Sequence, residues 1–136
     1  MRRGSRAPGV AEMFKLCADA VSSQILILQV GGGALFVLIL FQFDRIVRAL
    51  HDRKRPVWES LGRPPGFLWI PPDTSWFAGA SARQKLIWDV AFKRPAWLKE
   101  DAIMIRDCWR FRFLYVVFWL FFIVWFVTGV FLGWFA

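Results

Sequence analysis

His51 and its acidic neighbours are the first place in the chain where residue types could do chemistry. Imidazole and carboxylate groups bind metal ions; Asp52 follows His51 directly, and Asp44 lies two helical turns earlier. A metal site needs several converging ligands, whereas His51 is the one histidine, in a basic and solvated stretch. We therefore expect no metal and no cofactor. The sequence also lacks a Ser/His/Asp set, paired carboxylates in an apolar setting and a phosphate loop, so we expect no enzyme.

Cys108 is the second chemically suggestive residue. It lies close to Arg106 and Arg110, and neighbouring positive charges stabilise a reactive thiolate. A cysteine with no role beyond packing is the simpler interpretation, and the sequence leaves both open.

Basic residues beside two apolar segments form the strongest chemical signal. Such clusters attract anionic lipid by ~1 kcal/mol per residue, although they can also serve only to set membrane topology. The predicted headgroup contacts are Arg45, Arg48, Arg53, Lys54, Arg55, Arg110 and Arg112. Because these residues lie next to the apolar segments and no nucleic-acid motif is present, we expect no nucleic acid as a partner.

The two apolar segments, residues 24–43 and 113–136, contain no charged residue. A bilayer core requires roughly 20 apolar residues in helical form, so each segment is long enough to cross. Two segments cannot close a barrel, and only helices or barrels satisfy their backbone in lipid. The alternative, a buried helical hairpin in a soluble protein, rarely uses such long uncharged runs.

Charge places the central region, residues 44–112, on the cytoplasmic side. Five Lys/Arg follow the first segment within 15 residues and four precede the second, nine in all; only Lys15 lies as close before the first. By the positive-inside rule, the tail of residues 1–23 and the chain end lie outside. The chain is therefore predicted to cross a membrane twice.

Glycines inside the apolar segments predict close helix contacts. Gly31, Gly32 and Gly33 would admit a neighbouring helix, and Gly129 and Gly133 have the small-residue spacing found in helix dimers. A flexible point without a partner is the alternative for the first group. The expected partners are thus the lipid bilayer and another membrane protein or a second copy.

The central region is predicted to be helical and interrupted by prolines. The first helix should continue past Phe43 and end before Pro56, and residues 62–80 should form an irregular loop. A helix capped by Ser81 should be amphipathic, with Leu86, Val90 and the pair Ile87/Ala91 at helical spacing. It should lie either flat on the bilayer or against the juxtamembrane helices. A further helix should start near residue 97 and continue into the second span. The fold class is therefore an all-α membrane protein with two transmembrane helices.

This layout resembles the universal stress protein B family of small bacterial inner-membrane proteins. The residues that carry the resemblance are Leu86-Ile87-Trp88 with Lys93-Arg94, and Ile105-Arg106-x-Cys108-x-Arg110-x-Arg112 before the last span. The run His51-x6-Trp58-x2-Leu61-Gly62-Arg63-Pro64 is similar to a segment of other small bacterial membrane proteins of this layout. The resemblance implies a location in a bacterial inner membrane, with both termini periplasmic, and an association with stress. It carries over no catalytic residue. The proline-rich segment 62–72 departs from the family type.

Two functions follow as expectations. The first is a stress-associated membrane protein that acts through lipid or protein contacts without catalysis. The alternative is an accessory or assembly subunit of a larger respiratory or photosynthetic complex, because the aromatic second span and the glycines suit packing against helices, a pigment or a quinone.

Overall fold

The computed structural model describes residues 9–99 and 101–133, and over these residues it is all-helical, without strands. The helices are α1 (Val10–Arg53), α2 (Arg55–Ser60), α3 (Ala80–Phe92) and α4 (Ala102–Gly133), with a 3-10 turn at Ala96–Leu98. Residues 1–8 of the predicted tail, Glu100 and residues 134–136 of the predicted second span lie outside the described residues. The all-α prediction is confirmed for the described part.

The long helices α1 and α4 pack side by side and antiparallel. Phe36 contacts Phe118 with ring centroids 5.9 Å apart, whereas Arg45, further along α1, pairs with Asp107, earlier in α4. With 44 and 32 residues, the helices are ~66 Å and ~48 Å long. Each exceeds the ~30 Å of a bilayer core, and each extends beyond its predicted span into the central region.

The apolar parts of α1 and α4 are almost entirely exposed. Both helices are long and apolar enough to cross a membrane, over Ser22–Arg53 and Ala102–Phe131. Only 6% of the most apolar window of the first is buried inside the chain, and 0% of that of the second. A core helix of a soluble protein is mostly buried, so the exposed apolar windows of these two helices are compatible with a protein that crosses a membrane twice.

Burial is concentrated instead in residues 39–112, which we call the packed module. It combines the last turns of α1, the first turns of α4, and α2, α3 and their loops. Its core consists of Ile39, Phe43, Ile46, Val47, Leu50, Trp58, Leu86, Val90, Leu98, Met104, Cys108 and Phe111. Leu86 and Val90 are both 0% exposed in this core, so of the two predicted positions of α3 this face has the packed one.

Two helix boundaries follow the local sequence. α1 ends at Arg53, before Pro56 as predicted, and α2 begins at once with Pro56 in its first turn. Proline is accepted there because first-turn amides have no intrahelical partner. Residues 61–79 then form turns and irregular coil, and the indole Nε1 of buried Trp58 donates to the Pro64 carbonyl at 3.1 Å.

Two other boundaries were predicted wrongly. Ser81 does not cap α3, which begins at Ala80 after Gly79 and without a side-chain cap. The expected continuous helix from residue 97 is also absent: the 3-10 turn intervenes and α4 starts at Ala102. Asp101 sets that start, since its Oδ1 accepts the N–H groups of Ile103 and Met104 at 3.0 and 3.1 Å.

Candidate functional site

A buried carboxylate organises the loop that covers the end of α1. The side chain of Asp44 accepts three backbone N–H groups, from Phe67 at 2.6 Å and from Leu68 and Trp69 at 2.7 Å each. Gly66 is required beside it, because a Cβ there would collide with the same carboxylate. Asp44 is therefore the anchor of the loop and is not available to a metal ion.

A second buried carboxylate, that of Asp107, ties α4 to α1. Arg45 Nε donates to Asp107 Oδ2 at 3.1 Å, and Gln42 Nε2 donates to the Asp107 carbonyl at 3.0 Å. Arg110 Nη1 lies 3.9 Å from Oδ1, which has no hydrogen-bond partner among the described residues. Two of the predicted headgroup residues thus converge on this carboxylate.

The remaining basic residues at the end of α1 also contact the module. Arg48 lies over the Trp69 ring with its Cζ 5.1 Å from the centroid. Arg53 pairs with Asp101 at 3.8 Å, Lys54 Nζ donates to the Trp97 carbonyl, and Arg55 pairs with Asp73 and Glu59. Each predicted headgroup residue here has a partner in the chain, so lipid contact by this cluster stays a prediction.

Arg112 closes the end of α3. Its Nε donates to the Val90 carbonyl at 2.6 Å and its Nη2 to the Lys93 carbonyl, two acceptors at the end of α3 without helical partners. The same guanidinium lies 5.7 Å from the centroid of the Trp109 ring. The side chain is therefore held in one position at the junction of α3 and α4.

A basic pocket of about 320 Å³ opens beside Arg112. Its cationic lining is Arg94, Lys99 and Arg112, and Trp109 forms a wall. The remaining lining is Pro95, Leu98, Ile105 and Cys108. Among the described residues no carboxylate lines it, so three cations share a pocket with an apolar floor.

A smaller cavity of about 190 Å³ lies between α1 and α4 and has a different charge balance. Arg45, Arg48 and Arg53 line it together with Asp52 and Asp107, which leaves a net charge of only +1. The basic pocket is consequently the stronger candidate for an anion.

His51 and Cys108 have structural positions. His51 Nδ1 donates to Asp52 Oδ1 at 2.9 Å, and its ring meets Trp58 and Trp69 edge-on, with centroids 4.9 and 5.4 Å away. Cys108 is 1% exposed at the floor of the basic pocket, and burial disfavours the thiolate a reactive cysteine requires. Within residues 9–99 and 101–133, no group of His, Cys, Asp and Glu could hold a metal ion.

Two of the three consecutive glycines of α1 contact α4, and the third faces open space. A Cβ on Gly31 or Gly32 would lie 3.3 or 3.2 Å from the Phe121 ring of α4. A Cβ on Gly33 or Gly129 would have no atom of another described element within 4 Å. The surroundings of Gly133 lie outside the described residues. The helix admitted at Gly31 and Gly32 is thus α4 of the same chain.

An apolar cavity of about 330 Å³ lies between α1 and α4 next to this contact. Gly32, Gly33 and Gln29 line it from α1, and Phe118, Phe122 and Trp125 line it from α4. Gln29 is the polar side chain among the lining residues of this cavity.

Sequence reasoning missed four residues of this region. Asp44 was considered only as a possible metal ligand beside His51 and Asp107 was not singled out, yet the position of Asp44 directly after an apolar run was a signal for a buried carboxylate. Arg94 and Lys99 carried no signal, because only the path of the chain between α3 and α4 brings them to Arg112.

Comparison with protein-family models, with curated proteins and with solved structures gave no match. The resemblance to the universal stress protein B family is therefore neither supported nor contradicted, and the class of this chain is defined by its own structure. That class is an all-helical protein with two helices able to span a membrane and a packed module at one end of them.

Proposed function

We propose that the chain is a small integral membrane protein of the bacterial inner membrane that acts through contacts with lipid and with other membrane proteins, without catalysis. One observation carries the proposal: burial is confined to the packed module, while the apolar windows of α1 and α4 are 6% and 0% buried. Exposing this much apolar surface to water opposes folding, whereas a bilayer covers it. The stress association implied by the resemblance remains part of the proposal.

Exposed aromatic side chains on α3 support the proposal that the packed module rests on the membrane surface. Trp88 and Phe92 are 52% and 61% exposed on α3, and Phe92 meets Tyr115 of α4 with centroids 6.0 Å apart. Tyr115 lies at the beginning of the predicted second span. Tryptophan and tyrosine favour the headgroup level, so this face of α3 would lie against the bilayer.

The orientation follows from charge. The antiparallel arrangement of α1 and α4 puts the module at one end and the start of α1 at the other. The module carries most of the Lys/Arg near the spans, and the positive-inside rule places such a region in the cytoplasm.

Membrane insertion and orientation can be tested together in cells. Single-cysteine variants Ser60→Cys and Glu12→Cys, made with Cys17→Ser and Cys108→Ala, would be treated with a membrane-impermeant maleimide before and after lysis. We expect the chain in the membrane pellet after alkaline extraction, residue 12 labelled in intact cells, and residue 60 labelled only after lysis. A chain released by alkali, or residue 60 labelled from outside, would contradict the proposal.

The apolar cavity at Gly33 favours a second candidate function, an accessory subunit of a larger membrane complex. The cavity is open between two helices and lined by aromatic rings, which suits the side chains of a further helix. Purification in a gentle detergent would distinguish the two: co-migration with one large complex at fixed stoichiometry supports the subunit, and a monomer or homodimer opposes it.

A further inference from the structure

We propose that the basic pocket between α3 and α4 binds the phosphate group of one anionic phospholipid, whose acyl chains lie along the exposed surface of α4. The inference rests on the proposed function, because it requires α4 to be in a bilayer. It adds a defined site and stoichiometry to the general attraction between basic residues and lipid.

The balance of charges singles out this pocket. Asp89, the acid nearest in sequence before Arg94, pairs with Lys93 at 3.0 Å, and Asp101 is engaged by Arg53 and by the start of α4. Within residues 9–99 and 101–133, neither Arg94 nor Lys99 has a carboxylate within 4.0 Å. Two charges that face one cavity and have no carboxylate partner among the described residues attract an anion more strongly than the nearly balanced cavity at Arg45.

The positions of the cations suit a phosphate. Arg112 is fixed by the Val90 and Lys93 carbonyls, so it adds positive charge without further loss of side-chain entropy. Arg94 and Arg112 both contact the Trp109 ring, at 5.8 and 5.7 Å, which places two guanidinium groups beside one aromatic wall. Guanidinium groups bind phosphate oxygens through paired N–H groups.

The apolar lining favours a lipid over free phosphate. Leu98, Ile105 and Cys108 form the floor, and a soluble phosphate would gain nothing from them. The pocket also lies one turn before Phe113, where α4 becomes exposed and apolar. A headgroup in the pocket therefore leaves its acyl chains beside the helix, and basic pockets at this depth bind anionic headgroups.

Native mass spectrometry can count the bound lipid. The full chain would be reconstituted in phosphatidylcholine bilayers containing a minor fraction of phosphatidylglycerol, extracted gently and measured with its lipids. We expect one retained phosphatidylglycerol, and about 30-fold weaker retention for Arg94→Gln/Lys99→Gln, equivalent to ~2 kcal/mol for two basic contacts.

Matched variants separate this site from general electrostatics. Arg63→Gln/Lys85→Gln removes the same charge from positions outside the pocket and should retain the lipid, as should the charge-preserving swap Arg94→Lys/Lys99→Arg. Equal loss in both Gln pairs would overturn the inference while leaving membrane insertion intact. Displacement of the lipid by an equal concentration of glycerol phosphate would show a site for soluble phosphate and also overturn it. Failure to reconstitute at all would instead contradict the proposed function.

Discussion

At the scale of single residues, two buried carboxylates fix the packing of the module, one at its loop and one between its two long helices. Asp44 satisfies three consecutive amides of the loop, and Asp107 holds Arg45 across the helix pair. A buried charge is costly unless its oxygens are hydrogen-bonded, so each carboxylate selects the one chain path that provides its donors.

Replacement of Asp44 tests whether its carboxylate holds the loop through the amides of Phe67, Leu68 and Trp69. Asp44→Asn removes the negative charge and turns an N–H₂ group toward backbone donors, so the loop should detach locally. We expect hydrogen exchange at Phe67, Leu68 and Trp69 to become about 30-fold faster, equivalent to ~2 kcal/mol. Asp52→Asn, at an exposed carboxylate, should leave the three amides protected; equal protection in both variants would show that Asp44 does not hold the loop.

At the scale of elements, α1 and α4 depend on contacts that only small residues permit. The backbone of α1 approaches the Phe121 ring at Gly31 and Gly32, while Gly33 turns to the open cavity. In lipid, where apolar burial provides little driving force between helices, such close packing is a main source of association.

Two leucine variants compare the packed and the open glycine. Gly32→Leu should push Phe121 away and lower the stability of the helix pair by ~1–3 kcal/mol, the usual cost of overpacking. Gly33→Leu should have little effect, since its added atoms enter open space. The measurement is the unfolding midpoint in mixed micelles; equal midpoints for the two variants would contradict this helix contact.

The start of α4 is a second element-scale feature, and it depends on pH. Hydrogen bonds from Met104, and then Ile103, lower the pKa of Asp101 below its usual 3.8, and Arg53 and Lys54 act in the same direction. Because the folded pKa is lower than the unfolded pKa, this stabilisation is present above the unfolded pKa. It is lost as the pH falls through the folded pKa.

Asp101→Ala should therefore cost ~1 kcal/mol of unfolding free energy at neutral pH, the usual value of a lost helix cap. The difference from the native chain should shrink in acid below the usual aspartate pKa. Asp101→Asn, which keeps an acceptor oxygen but lacks the charge, should lose part of this free energy at neutral pH and should differ little from the native chain in acid. Denaturation curves at neutral and acidic pH check this; a pH-independent loss would exclude the carboxylate charge as the cause.

At the scale of the whole molecule, the chain combines two long helices whose apolar surfaces are exposed with a packed module whose apolar residues are buried. The exposed Trp88 and Phe92 face the side on which α4 leaves the module, whereas α2 follows the last turn of α1 at the far end. The module should therefore have one face on the headgroups and one in the cytoplasm.

Fluorescent labels on two faces test that arrangement. Trp88→Cys, labelled with an environment-sensitive dye in a Cys17→Ser/Cys108→Ala background, should be quenched by a nitroxide attached to the lipid headgroup. The same dye at Ser60→Cys should be unaffected. Quenching at residue 60 but not at residue 88 would show that the opposite face of the module lies on the headgroups, and would contradict the prediction.

The sequence alone determined the two long helices, because hydropathy adds up along contiguous residues and needs no knowledge of neighbours. It also determined the end of α1 before Pro56 and the buried face of α3 at Leu86, since proline sterics and helical period act locally. Only the tertiary structure decided that Asp44 meets amides beginning 23 residues later and that Asp107 meets Arg45 across 62 residues. It also decided that Arg94 and Lys99 join Arg112 around one pocket. These contacts join residues that are far apart in the sequence. They depend on the path of the loops and on which carboxylates become buried, and the spacing of residues along the chain predicts neither.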